Sequence, residues 1–255
     1  MPLLATDAVV LHSFDYMETS RILRLVTREA GVQSALAKGA RRAQRRYGSA
    51  LDLFAEGAAQ LYTKEGRELH TMSAFDVTRA RPELAEDMER FTGAAALAEL
   101  TLRFTQRDDA HPALYDVVVA ALDALGSAAP DRARETALAG AWRIVGELGF
   151  APSTDACSSC RAPIPDDAPA MFSHPAGGVL CARCARLVPT SRTIPASARA
   201  ALRAWLDGVP AAVPLEDPAA GRAHQRLLRE FLAEHLADTR PLRAFEVWEK
   251  GGWGA

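Results

Sequence analysis

Two groups of residues in this 255-residue chain have the types and spacing to do chemistry: four cysteines and a run of five cations. Cys157-x2-Cys160 and Cys181-x2-Cys184 are two CxxC pairs separated by a 20-residue gap. Each short pair can wrap two soft thiolates onto one metal ion, and tetrahedral zinc accepts four such ligands at about 2.3 Å. An iron–sulfur cluster or redox dithiols would use the same residues. A disulfide scaffold does not suit a cytosolic chain of this size. Four thiolates close the coordination sphere, so the expected cofactor is one structural Zn2+ stapling a loop that has little core of its own. His174 lies between the pairs and reads as a surface histidine, because the thiols already satisfy the ion.

The second group is Lys38, Arg41, Arg42, Arg45 and Arg46, five cations in nine positions of a chain whose net charge is −2. The run holds no acid and no large aliphatic residue, so it can neither bury nor neutralise itself. It must lie in water, as a solvated loop, or on something negative, and a polyanion with evenly spaced phosphates fits. Tyr47, beside the run, is a candidate for stacking on bases, and so is Phe54, although barrel packing suits Phe54 better. Arg21 and Arg24 are three apart and point to opposite faces of a regular strand. One of them can join the loop's surface; ordinary solvation accounts for both equally well.

No other constellation supports catalysis. Phosphate-binding glycine loops of the GxxxxGK[ST] or GxGxxG type are absent, as is a GxSxG elbow. No cysteine lies outside the CxxC pairs. Glu83, Glu86, Asp87 and Glu89 cluster where a helix starts, and there carboxylates complement the dipole. Asp108, Asp109 and His111 read as a polar loop between helices. The chain is expected not to be an enzyme.

The elements that must position these groups follow from periodicity. Residues 6–78 carry five short strand-like stretches with turn signals between them, including Glu29-Ala30-Gly31 and Lys64-Glu65-Gly66-Arg67. Leu51, Leu53, Ala55, Gly57, Ala59 and Leu61 alternate on one face. A small antiparallel barrel of the oligonucleotide-binding (OB) type is expected, and an SH3-like barrel fits the strand count nearly as well. At Arg81-Pro82 the period changes. Leu84, Met88, Phe91, Ala95, Ala98 and Leu102 step as a helix; Pro112 and Pro130 open two more, the third stopped at Gly149. Residues 151–193 look irregular and carry six prolines. Helices over about 196–207 and 219–237 follow. Arg222, Arg226 and Arg229, distributed around the last helix, make with Arg240 and Arg243 a second, weaker basic patch, or only a solvated face.

Charge is uneven. Lys and Arg against Asp and Glu number 11 against 9 in residues 1–80, 7 against 12 in 81–150, and 12 against 11 in 151–255. The acidic middle would repel DNA and suits a protein partner. With no run of 18 apolar residues and no basic flank at the N-terminus, the chain reads as cytoplasmic.

The order of these parts resembles the bacterial RecO family of recombination mediators. The resemblance rests on Lys38-Gly39-Ala40-Arg41-Arg42, on Val10-Leu11 through Thr19-Ser20-Arg21-Ile22-Leu23, and on Leu227-Leu228-Arg229 through His235-Leu236 to Arg240-Pro241-Leu242-Arg243. It implies an α+β chain with an N-terminal five-stranded OB-fold barrel (1–80). A helical domain (81–150 and 194–243) carrying a four-cysteine zinc-binding insertion (151–193) and a C-terminal tail (244–255) would follow. It further implies binding of single- and double-stranded DNA, strand annealing, and action with RecR and RecF to help RecA replace single-strand-binding protein at the nucleoid. Lys38, Arg41 and Arg42 match the family's basic motif; Arg45 and Arg46 extend it where a proline and smaller residues are more usual. The competing readings are an RNA-binding zinc module, a zinc hydrolase or deaminase, and an adaptor whose basic loop meets an acidic protein.

Overall fold

The computed structural model describes residues 2–40, 51–64, 66–188, 190–208, 217–235 and 240–251. Five strands close a barrel: β1 (Leu3–Tyr16), β2 (Ser20–Thr27), β3 (Gly31–Ala37), β4 (Glu56–Tyr62) and β5 (Leu69–Arg79). Their order is β1-β2-β3-β5-β4, with β1 also paired to β4. Every pair is antiparallel except β3–β5, where Ser34 lies beside Leu69 and Leu36 beside Thr71. That parallel closure is the OB topology and excludes the SH3-like alternative. The turn at Glu29-Ala30-Gly31 forms as its residues indicate. Gly31 has φ +62, and a Cβ there would sit 2.3 Å from the Asp109 carbonyl oxygen, so neither the backbone nor the space admits a side chain.

The apolar run Ala8-Val9-Val10-Leu11 serves two cores. Ala8 and Val10 point into the barrel with Leu23, Leu25, Ala35, Leu61 and Phe75. Val9 and Leu11 point outward, and with Val26 they join the core of the helices. A strand buried on both faces reads as continuous rather than alternating. The alternation expected from Leu51 onward holds only from Gly57. Strand β4 begins at Glu56, Leu53 is 36% exposed, and Phe54, at φ +68, turns out of the barrel into the core of the helices.

Among the described residues there are seven α-helices: α1 (Met88–Phe104), α2 (Pro112–Ser127), α3 (Ala133–Val145), α4 (Ala182–Ala185), α5 (Ala196–Leu206), α6 (Pro218–His235) and α7 (Arg243–Lys250). None is long and apolar enough to cross a membrane. Helix α1 starts at Met88, capped by Asp87, whose side chain accepts from the Arg90 N–H at 3.0 Å. Leu84 belongs to a separate turn and Met88 is exposed, so the stripe expected from Leu84 shifts to Ala94, Leu97, Ala98 and Thr101. Small residues bring the helices together. A Cβ on Gly93 would lie 2.9 Å from that of Ala137, and one on Gly140 would lie 2.8 Å from that of Ala121.

Barrel and helices are riveted by Arg81. Its side chain is fully buried and donates to the Phe54 carbonyl (2.7 Å), Glu56 (2.8 Å) and Asp123 (2.7 Å). The Tyr115 hydroxyl donates to the same Glu56 at 3.1 Å. A buried guanidinium survives because each of its bonds is charge-assisted or ends on a carbonyl.

Two segments differ from their reading as irregular chain. Residues 151–193 include β6 (Ala170–Ser173), β7 (Gly178–Leu180) and part of β8 (Arg192–Ile194), in the order β7-β6-β8. Their core is continuous with the helices, through Phe172 on Phe231 and Phe231 on Trp142. The segment read as a tail contains α7, whose Phe245 and Trp248 are fully buried. Glu99 of α1 accepts from the backbone N–H groups of Arg243, Ala244 and Phe245 and so caps α7 from outside.

Candidate nucleic-acid interface and metal centre

The four cysteines converge. Cys157 and Cys160 sit in a turn, and Cys181 and Cys184 flank the start of α4. Their sulfurs all lie within 4.8 Å of one another, with Cys160 and Cys181 3.7 Å apart. A tetrahedron with 2.3 Å bonds needs an edge of about 3.8 Å, so four thiolates around one ion fit. Burial pushes the Cys157 thiol up, but backbone hydrogen bonds from Cys181, Cys160 and Ser159 outweigh it and hold the thiol at about 6. Cys184 moves the other way: Ser159 lowers it, but contacts with Cys160 and Cys181 outweigh that and push it up to about 11. The quartet thus shares its protons unevenly, and its convergence, rather than its titration, is what fits a metal.

His174 is a correction: it is buried, not a surface residue. Its ring packs edge-on against Phe172 at 5.3 Å, and its carbonyl oxygen lies 2.7 Å from Nε2 of His235 on α6. Glu230 stands 3.6 Å from its Nε2 and would raise its pKa, yet burial dominates and lowers it. This histidine docks the cysteine region on α6. Other polar residues serve local structure as expected. His111 caps α2 by accepting from the Leu114 N–H (3.1 Å), and Asp108 accepts from Gln33 (2.9 Å).

Of the basic run, Lys38 is exposed just past β3. Arg41, Arg42, Arg45, Arg46 and Tyr47 lie outside the described residues. Arg21 and Arg24 do point to opposite faces. Arg21 extends the inward row of β2 at the barrel mouth, where Asp15 holds it at 3.2 Å. Arg24 faces outward and donates to the Leu102 carbonyl at 3.2 Å. Burial, then Arg107 and Arg240 nearby, pull its guanidinium below the usual arginine range. Phe54 is 3% exposed and packs on Phe91, so it offers no face to a base.

The second basic patch divides. Arg222, Arg226 and Arg229 are not distributed around α6; at spacings of four and three they share its exposed face, where Arg229 pairs with Glu249 at 3.4 Å. Arg240 belongs elsewhere. Its carbonyl oxygen accepts from Arg103 at 2.6 Å, which brings it to the end of α1 beside Arg24. Arg243 begins α7 in the same neighbourhood, on Glu99. Arg107, in the loop after α1, bridges to Gly31 and Val32 and pairs with Glu68 at 2.5 Å. Arg24, Arg103, Arg107 and Arg240 thus gather where the barrel meets the helices. Arg103 and Arg107 went unread because no local spacing marks them: their neighbours in this cluster are brought by β2, β3 and the chain before α7.

Comparison with known proteins agrees with this architecture. A family model described as Recombination protein O N terminal matches residues 1–81, and one described as Recombination protein O C terminal matches residues 85–244. A DNA repair protein RecO of Anaeromyxobacter sp. (strain K) is 37% identical over 240 residues, 93% of each chain. The proteins of that name from Rubrobacter xylanophilus and Myxococcus xanthus are each 30% identical, over 94% of both chains and over 90% and 91% respectively.

Proposed function

This chain belongs to the recombination protein O family of DNA repair proteins, and on that premise we propose that it works without catalysis. It binds single- and double-stranded DNA, anneals complementary strands, and helps RecA replace single-strand-binding protein at the nucleoid. The observation that carries this reading is the closed OB barrel, whose third strand ends at Ala37, immediately before Lys38 and, in sequence, Arg41, Arg42, Arg45 and Arg46. Lysine and arginine side chains bind phosphates without regard to sequence and release counterions, so affinity falls steeply with salt. Annealing needs two strands neutralised at once. The loop serves one strand; Arg24, Arg240 and Arg243, with Arg103 and Arg107 beside them, serve the other. The α6 arginines 222, 226 and 229 are a weaker third contribution.

RecR is the expected protein partner, with RecF and single-strand-binding protein engaged in the same exchange, and the acidic helical region suits a protein contact better than DNA. The cysteine quartet holds one structural Zn2+. A closed four-thiolate sphere leaves no position for water or substrate, so the ion supplies folding energy and no reaction step.

The test is annealing of two complementary labelled oligonucleotides, read by energy transfer, with and without Arg41, Arg42, Arg45 and Arg46 changed to Glu. Accelerated annealing by the wild type and its loss in the folded variant is the expected result. An absence of acceleration by the wild type would overturn the reading.

A further inference from the structure

The outer face of β1 changes character along its length. Val9 and Leu11 are covered by the helices, and a β-bulge follows between Val10 and His12. Beyond it, His12, Phe14 and Tyr16 alternate on a face that nothing described covers. Phe14 is 44% exposed and Tyr16 38%, and the His12 and Phe14 rings lie 5.7 Å apart. A sheet face turned to water ordinarily carries polar side chains. Here the cross-strand neighbours are apolar as well: Phe14 lies opposite Ile22, and Ile22 opposite Leu36, both half-buried. The result is an aliphatic floor with an aromatic row along one side.

Cations stand at both ends of that row. Arg24 lies directly opposite His12, with Arg107 and Arg240 close by. At the other end Tyr16 pairs with Ser20, and Lys38 follows Ala37, the partner of Arg21. Residues two apart on a strand are about 6.8 Å apart, twice the roughly 3.4 Å spacing of stacked bases in a duplex. A duplex keeps its bases inside its own stack and has nothing to lay on such a row. An extended single strand can set one base on each ring while its phosphates meet the cations at the ends.

We propose that His12, Phe14 and Tyr16 form a base-stacking platform for single-stranded DNA, running along β1 between Arg24 and Lys38. This deepens the proposed function and rests on it. The platform makes the protein distinguish single from double strands, which phosphate contacts alone do not do.

The experiment is fluorescence anisotropy with three probes of equal length: an oligo-dT strand, an abasic strand with the same phosphates, and a duplex. Wild type, Phe14→Ala/Tyr16→Ala and Phe14→Trp/Tyr16→Trp are compared after thermal melting shows that all three fold. Base–aromatic stacking is worth on the order of tenfold in affinity per ring. The alanine variant is expected to lose about that factor for each ring on oligo-dT, with abasic and duplex binding and the salt slope unchanged. The tryptophan variant is expected to retain the preference for oligo-dT over the abasic strand. Wild-type binding of all three probes by the alanine variant would overturn the platform alone, leaving DNA binding intact and assigning this face to another partner. If the wild type binds none of the probes, the proposed function falls and the platform with it.

Discussion

The barrel's uncovered face and the cysteine-bearing helical region treat charge in opposite ways. Around the cysteines, cations are matched within the protein: Arg203 to Asp155 (2.9 Å) and Asp166 (2.7 Å), and Arg192 to Glu230 (3.2 Å). At the barrel–helix junction Arg24 has other arginines for neighbours, and its own donor ends on a carbonyl. The cysteine-bearing segment pairs these cations internally and is built to hold shape. Arg107 also pairs with the exposed Glu68 at 2.5 Å, but the clustering of like charges on a rigid scaffold at the junction raises the local potential and favours an external anion. The same division appears in the aromatics, with Trp142, Phe172 and Phe231 buried while Phe14 and Tyr16 face water.

The comparison breaks most visibly at the proposed metal site, the cysteine quartet. Stripping the ion with a chelator, or changing Cys157 to Ser, should abolish stoichiometric zinc and unfold the cysteine region, because structural zinc contributes on the order of 10 kcal/mol to such sites. Metal analysis and thermal melting read this. Oligonucleotide affinity of protein that remains folded should change little, since no cysteine belongs to the barrel. Next is Arg81, which joins the two regions. Arg81→Ala takes the buried donor from the Phe54 carbonyl and leaves Glu56 with Tyr115 and Asp123 with Arg79 as their remaining partners; it should cost about 3 kcal/mol by urea denaturation.

His224 supplies the pH dependence of the self-contained side. It is buried against Trp205, ring centroids 4.7 Å apart, and burial lowers its pKa to about 4. The unfolded chain takes up a proton near pH 6.5 and the folded protein only near 4. The stabilisation is therefore complete above about pH 6.5 and is lost as pH falls through about 4, for a total of roughly 3 kcal/mol. In a denaturation series His224→Phe should flatten the loss of stability across that window. The smallest effect sharpens the other side. Removing one junction cation, as Arg24→Gln or Arg107→Gln, should lower the salt slope for single strands by about 0.7 and leave stability within about 0.5 kcal/mol for the exposed Arg107.

Much of this division was legible from residues alone. The CxxC spacing anticipated the convergence of the sulfurs, and the Pro112 and Pro130 helix starts matched α2 and the turn before α3, because caps, breakers and metal spacing act within a few residues. What sequence concealed depends on distant chain. Helix α7 looked like tail because eight residues do not make a persuasive helix without Glu99 to cap it and a core to receive Phe245 and Trp248. Arg240 was grouped with the α6 arginines by proximity in sequence, while Arg103 binds its carbonyl from 137 residues away. The β6–β8 sheet was masked by its prolines. Nothing in the sequence around Phe14 marks it out, because only the closed barrel reveals which of the faces of β1 the helices leave bare.

The most direct test of the central claim is anisotropy of a labelled single strand titrated across a salt series, wild type beside the variant with Arg41, Arg42, Arg45 and Arg46 changed to Glu. The account predicts tight wild-type binding with a steep negative slope of log K against log salt, and a folded variant that has lost both affinity and slope. A variant that binds as wild type does, with the same slope, would contradict it.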